Sequence, residues 1–164
     1  MIDMILAIDK NRGLGLDNKL LYRNKGDMKF FKETSMKYDY IVCGRKTYES
    51  VGNLKDRKMI VLTRDREYKV SEGVLVMNVE DFITFSRDKH ILCIGGAEIY
   101  NLLIHAANKV FLTVIDDIRE ADAFVSEEFM EQLNTIGYTE IIREVEANED
   151  NEASFTIFEC TLAE

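Results

Sequence analysis

Short, almost wholly apolar runs recur along this chain, each ended by a glycine or polar break and then followed by a segment of helical spacing. That alternation restricts the fold more than any other feature. The runs 1–9, 40–43, 59–62, 74–77, 90–94 and 110–115 are bounded by turn residues and are too short to be helices, so they read as strands of a covered sheet. Helices are expected at about 27–36, from Thr47 to about Val51, at 79–86 and at 97–105, with a helical turn over 128–134. Strands alternating with helices imply right-handed crossovers and a mostly parallel sheet. The chain closes with two strands, about 139–146 and 154–162, joined by the polar stretch Asn148-Glu149-Asp150-Asn151. These pair as a hairpin that adds an antiparallel edge to the sheet. The expected class is α/β, a single domain over 1–164 with helices flanking the sheet. The acidic segment 144–152 reads as a solvated turn.

Composition narrows the function. The 164 residues suit one core. A net charge of −9 repels phosphate backbones, so no nucleic-acid partner is expected. No apolar run approaches the roughly 20 residues needed to span a membrane. Asp3 interrupts the first apolar stretch, which has no basic start, so no secretory signal is read there and a cytoplasmic location is expected. Cys43, Cys93 and Cys160 lie in apolar surroundings without CxxC spacing and read as buried free thiols. His90 and His105 are far apart, and no metal site is expected. Proline is absent, so turns fall to Gly, Asn, Asp and Ser.

The residues suited to chemistry cluster where strands end. Gly44-Arg45-Lys46-Thr47 joins a strand to a helix whose open N–H groups and positive end attract phosphate. The same residues could equally be a solvated turn. Thr63-Arg64 and Arg66 close the next strand; they read either as surface charge or as a second phosphate contact. Gly95-Gly96, between a strand and a helix, permits close backbone approach by a ligand or simply a tight turn. G-x-G-x-x-G is absent, because Gly13-Leu14-Gly15 is followed by Asn18, so a standard Rossmann domain is not expected. Three anion-suited strand ends in one sheet suggest a long phosphorylated cofactor. Asp27 is either a helix-start charge or a carboxylate in an apolar cleft beside Met28 and Phe31, within reach of Thr113. No nucleophilic triad can be assembled. Hydride transfer, in which the cofactor carries the hard step, needs only one acid.

Taken together these residues resemble the dihydrofolate reductase family over nearly the whole chain. The supporting blocks are the first strand with Ala7, the loop Gly13-Leu14-Gly15-Leu16-Asp17-Asn18, and Asp27 with Phe30-Phe31-Lys32. They continue with Gly44-Arg45-Lys46-Thr47-Tyr48-Glu49-Ser50, Asp56-Arg57-Lys58, Val61-Leu62-Thr63-Arg64, Ile94-Gly95-Gly96-Ala97-Glu98-Ile99-Tyr100 and Leu112-Thr113-Val114-Ile115-Asp116. Their order and spacing carry the match.

The resemblance implies reduction of 7,8-dihydrofolate by NADPH, a small-molecule folate substrate and a monomer. It implies that Asp27 binds the pterin and favours protonation at N5, with Thr113, Tyr22 and the loop gatekeeper Leu20 around it. Ile5, Ala7, Met28, Phe31, Val51, Leu54, Ile94 and Tyr100 would line the substrate site, and Arg57 would hold the substrate's glutamate tail. Ala7, Leu14, Asn18, Gly44, Arg45, Lys46 and Thr47 would face the cofactor. So would Leu62, Thr63, Arg64, Gly95, Gly96, Ala97, Glu98, Ile99 and Tyr100, with Thr63 and Arg64 selecting NADPH over NADH. Gly95-Gly96 resembles the family's cis peptide, and Asp122 would steady the active-site loop. The family's proline and tryptophan after that loop are replaced by Leu21 and Tyr22. That departure predicts a looser loop and weaker binding of diaminopyrimidine inhibitors. A pyrimidine reductase of the riboflavin pathway, or a non-catalytic relative that binds NADPH or folate, are the alternatives.

Overall fold

The computed structural model describes residues 1–162, apart from the side chains of residues 136–138. Eight strands form the main sheet in the order β10-β11-β8-β1-β7-β4-β5-β6. The strands are β1 (Ile2–Ile8), β4 (Tyr40–Gly44), β5 (Met59–Leu62), β6 (Leu75–Met77), β7 (Ile91–Cys93), β8 (Ala107–Ile115), β10 (Ile136–Val145) and β11 (Phe155–Leu162). The pairings from β8 through β1, β7, β4 and β5 to β6 are parallel, as expected. The closing hairpin adds two antiparallel pairings, because β11 runs against β8 as well as against β10.

The helices are α1 (Lys25–Ser35), α2 (Arg45–Val51), α3 (Val79–Ser86), α4 (Ala97–Leu103) and α5 (Glu127–Asn134). Side-chain alternation on the strands makes two cores. Met4, Leu6 and Ile8 of β1 join Phe82, Leu103 and Phe129 from α3, α4 and α5. Ile5 points the other way and packs with Phe30 of α1 and Tyr48 of α2. Helix α3 starts from Asn78, whose side chain accepts the Asp81 N–H, and α5 starts from Ser126, which accepts the Phe129 N–H. The three cysteines are free and buried, and burial pushes the Cys43 and Cys93 thiols up to about 12.

Three expectations change. The segment 10–25 is not simply irregular: β2 (Gly13–Leu16) and β3 (Lys19–Leu20) pair with β9 (Ala123–Phe124) as a small second sheet. Polar and glycine content hid strands this short, which owe their existence to pairing with a distant segment. The helix expected to reach residue 105 ends at Leu103 and tightens to a 3-10 turn over Ile104–Ala106. The 144–152 turn is also more than a solvated link. Asn151 is buried, and its Oδ1 accepts the Gly26 N–H at 2.9 Å, while the Asp150 carbonyl accepts the Lys25 N–H at 2.9 Å. The hairpin turn therefore fixes the start of α1, and with it the position of Asp27.

Candidate functional site

A cleft of about 250 Å³ opens at the carboxyl ends of the parallel strands, where ligands bind in sheets of this kind. Strand β1, through Ile5 and Ala7, and Ile94 just past the end of β7 form its floor. Helix α1 contributes Asp27, Met28 and Phe31, and α2 contributes Thr47 and Val51. Leu14, Asn18 and Leu20 cover it from the β2–β3 hairpin, and Gly96, Ala97 and Tyr100 close the side of α4. The walls are thus mainly apolar with few polar groups, a composition suited to a flat heteroaromatic ligand.

Asp27 is the acid on the α1 wall of the cleft. The Thr113 hydroxyl donates to its Oδ1 at 2.6 Å. Burial pushes the carboxyl above the usual carboxylate range, and the Thr113 hydrogen bond opposes that rise only in part. The sign of the linkage follows. An acid whose pKa is raised on folding favours the folded state while it stays protonated. That contribution is lost as pH rises through the folded value. Asp27→Asn is therefore expected to melt above the wild type at neutral pH. The gap should close below about pH 4, where the unfolded carboxyl also keeps its proton. Thermal melts of both proteins across pH check this; a wild type that stays the more stable at neutral pH contradicts it.

Tyr100 is locked in place. Its hydroxyl donates to the Ile5 carbonyl at 2.6 Å, its ring is buried, and burial holds the phenol well above its ordinary range. The Gly95–Gly96 peptide is cis, as the resemblance implied. Gly95 has φ +123, and a Cβ there would lie 3.2 Å from the Tyr100 ring. A Cβ on Gly96 would lie 3.2 Å from the Thr47 hydroxyl. These glycines bring α4 and α2 close on one side of the cleft.

The roof is tied down by polar contacts. Asn18 Nδ2 donates to the Lys46 carbonyl at 2.8 Å, and the Ser50 hydroxyl donates to the Asn18 carbonyl at 2.9 Å. Asp122 accepts the Asp17 N–H at 3.1 Å and donates its own N–H to the Gly15 carbonyl at 2.9 Å. The loop-steadying place expected for Asp122 is therefore occupied by it. Tyr22 lies behind this roof. Its hydroxyl is buried without a hydrogen-bond partner among the described residues, and burial pushes the phenol up to about 12. A smaller cavity of about 30 Å³ joins Tyr22, Asn24 and Asp27.

Several expected residues lie off the cleft wall. Leu62, Gly44 and Ile99 sit behind it in packing positions; a Cβ on Gly44 would meet Ile99 at 3.0 Å. Leu54 packs against the core of Ile5, Phe30 and Tyr48, and Arg57 donates to Ser35 Oγ at 2.8 Å and to the Lys55 carbonyl at 3.0 Å. Glu98 is in the first turn of α4. Arg45 and Lys46 are exposed at the start of α2, with Arg45 3.5 Å from Glu49. Thr63 Oγ1 accepts the Asp65 N–H at 3.1 Å, and Arg64 is exposed beside it. Sequence reasoning passed over Ser50, Lys19 and Ala123, which also touch the cleft. Their only signal lay in the small strands of the second sheet and in the exposed side of α2.

The residues present fit a phosphorylated dinucleotide. Helices α2 and α4 both start from glycines with no side-chain cap, so no side chain competes for their first N–H groups. Gly96 lies where a Cβ would crowd Thr47, and cations flank the strand ends on the same side of the sheet.

Comparison with known proteins agrees. The model of the family described as dihydrofolate reductase matches residues 1–161. The dihydrofolate reductase of Enterococcus faecium is 35% identical over 126 residues, covering 74% of this chain and 75% of that one. The Bacillus subtilis enzyme is 34% identical over 124 residues, covering 74% and 73%. The structure of the Enterococcus faecalis enzyme complexed with NADP(H) and RAB-propyl superposes with a TM-score of 0.85 at 28% identity, over 100% of this chain and 97% of that one. Motifs, fold, cleft and relatives converge: the chain belongs to the dihydrofolate reductase family.

Proposed function

We propose that this protein reduces 7,8-dihydrofolate to 5,6,7,8-tetrahydrofolate with NADPH, in support of one-carbon and thymidylate metabolism. The observation that carries the reading is Asp27, a half-buried carboxylate hydrogen-bonded to Thr113 in an apolar cleft. A carboxylate so placed suits the amino and ring N–H groups of a pterin, which return two hydrogen bonds to it. When bound, NADPH supplies the hydride that reduces C6.

The protein's own residues do the rest. Asp27 holds the pterin and favours a proton on N5 by way of water. Thr113 fixes the Asp27 carboxylate. Ile5, Ala7, Met28, Phe31, Val51 and Ile94 exclude water around the ring and hold it flat. Leu20 and Tyr22 bound the reacting end. Leu54 extends the apolar wall, and Arg57 holds the carboxylate of the substrate's tail through its planar fork. On the other side, Leu14, Asn18, Gly44, Arg45, Lys46 and Thr47 hold the cofactor together with the segment Gly95 to Tyr100. Leu62, Thr63 and Arg64 receive the 2′-phosphate end.

Asp27, Phe31 and Arg57 favour this reaction over that of a ribosylated-pyrimidine reductase, which does not need the pterin-binding acid. The protein is read as one domain, a monomer without nucleic-acid partners, working in the cytoplasm; no helix of the described residues is long and apolar enough to cross a membrane. The test is oxidation of NADPH in the presence of dihydrofolate. Turnover that requires both compounds supports the proposal. NADPH binding without turnover overturns it in favour of a non-catalytic relative.

A further inference from the structure

The loop after β8 approaches the Tyr22 segment through a single arginine. The Arg119 guanidinium lies over the Tyr22 ring, 4.1 Å from its centroid. In the same pose Nη1 donates to the Leu21 carbonyl at 2.5 Å and lies 3.4 Å from Glu152 Oε1 in the hairpin turn. The Arg119 backbone is fixed as well, because its N–H donates to Asp9 Oδ2 at 3.1 Å. Asp9 is buried at the end of β1, and its other oxygen accepts the Asn11 and Gly13 N–H groups, each at 2.9 Å. One arginine thus connects the root of β1, the loop after β8 and the β10–β11 turn to the two residues that follow the cleft's roof.

We infer that Arg119 is a positioning residue for the reaction: its guanidinium fixes the Leu21 carbonyl and the Tyr22 ring, and thereby sets how Tyr22 stands against Asp27. The connection to Asp27 is the small cavity that Tyr22 and Asp27 share. The side-chain type matters. A planar guanidinium can lie over a ring while its edge donates in the guanidinium's own plane, whereas an ammonium cannot do both from one position. An exposed ion pair with Glu152 would by itself contribute little, so the role rests on the stacking and the carbonyl contact. The inference rests on the dihydrofolate reduction proposed above.

The test is a double-mutant cycle of Arg119→Met and Tyr22→Leu, followed by kcat/KM for dihydrofolate and by hydrogen exchange. With Tyr22 present, Arg119→Met is expected to lower kcat/KM by about five- to thirtyfold, and with Leu at position 22 by less than about twofold. Arg119→Lys is expected to recover only a minor part of the loss. Amide exchange over residues 15–23 should rise by about tenfold or more in Arg119→Met, while the β1 amides stay protected. Equal losses in both backgrounds, or unchanged exchange over 15–23, overturn the inference. If the wild type does not turn over dihydrofolate, the reading of the reaction has failed. Exchange alone then decides whether Arg119 fixes the segment.

Discussion

Asp27→Asn is expected to lower kcat/KM for dihydrofolate by about 10²-fold or more at neutral pH. The substitution keeps the shape of the side chain and an oxygen that can still accept from Thr113. It removes the carboxyl that holds the pterin's N–H groups and that, while protonated, passes a proton to N5 by way of water. NADPH binding should change little, because the residues that fit the cofactor sit on α2, α4 and the end of β5. The pH profile separates this account from simple damage. Burial holds the Asp27 carboxyl above its usual range, so the wild-type rate of the chemical step should fall as pH rises through that raised value. In Asp27→Asn that dependence should disappear. Stopped-flow measurement of NADPH oxidation across pH checks both points. A variant that keeps most of the wild-type rate would remove Asp27 from the mechanism. The same variant is expected to be the more stable protein at neutral pH, so activity and stability should move in opposite directions. That pairing is characteristic of a functional group buried at a cost to the fold.

Gly95→Ala is expected to be the most damaging of the small substitutions at the cleft, with a loss of about 2–5 kcal/mol of stability. Two effects add. At φ +123 an L side chain is strained whatever its surroundings. The new methyl would also lie 3.2 Å from a ring that cannot withdraw, because the Tyr100 hydroxyl is bonded to Ile5 and the ring is buried. Moving Tyr100 would open the α4 side of the cleft. For a chain of this size the loss corresponds to a fall in Tm of about 5–15 °C. Gly73→Ala is the control. Gly73 has φ +86, but a Cβ there meets nothing within 4 Å, so only the backbone effect of about 1 kcal/mol remains. Equal melting shifts for the two variants would mean that the Tyr100 contact contributes nothing.

Much of this site is legible in the sequence because it lies where strands end. Gly44 to Thr47, Gly95 to Tyr100 and Asp27 combine unusual local composition with a fixed place in the alternation of strands and helices. The parallel sheet is legible for the same reason, since its strands are continuous apolar runs. What could not be read depends on pairing between distant segments. The β2, β3 and β9 sheet is made of strands of two to four residues, which carry no period of their own. Asn151 appears as one polar turn residue among several, and its burial against Gly26 follows only from where the hairpin lands. Asp9 is, in the sequence, only the last residue of an apolar run. Its three N–H partners come from residues 11, 13 and 119, and sequence distance hides the last. Arg119 shows no pattern, because its partners Leu21, Tyr22 and Glu152 are brought together by the whole fold.

The position of β1 has a consequence for how the chain reaches this state. β1 is the first strand along the chain, yet it lies inside the sheet between β7 and β8. Its apolar residues cannot be covered until segments from the middle and the second half of the chain are available. β8 in turn needs β11, at residues 155–162, to complete its other side. During synthesis a strongly apolar segment therefore waits, unpaired, for most of the chain to emerge. Pairings this far apart fold slowly and leave adhesive edges open in the interval. The burden of avoiding aggregation thus falls on the nascent chain, and shortening the chain from its far end should expose β8 and yield insoluble protein rather than a smaller stable core.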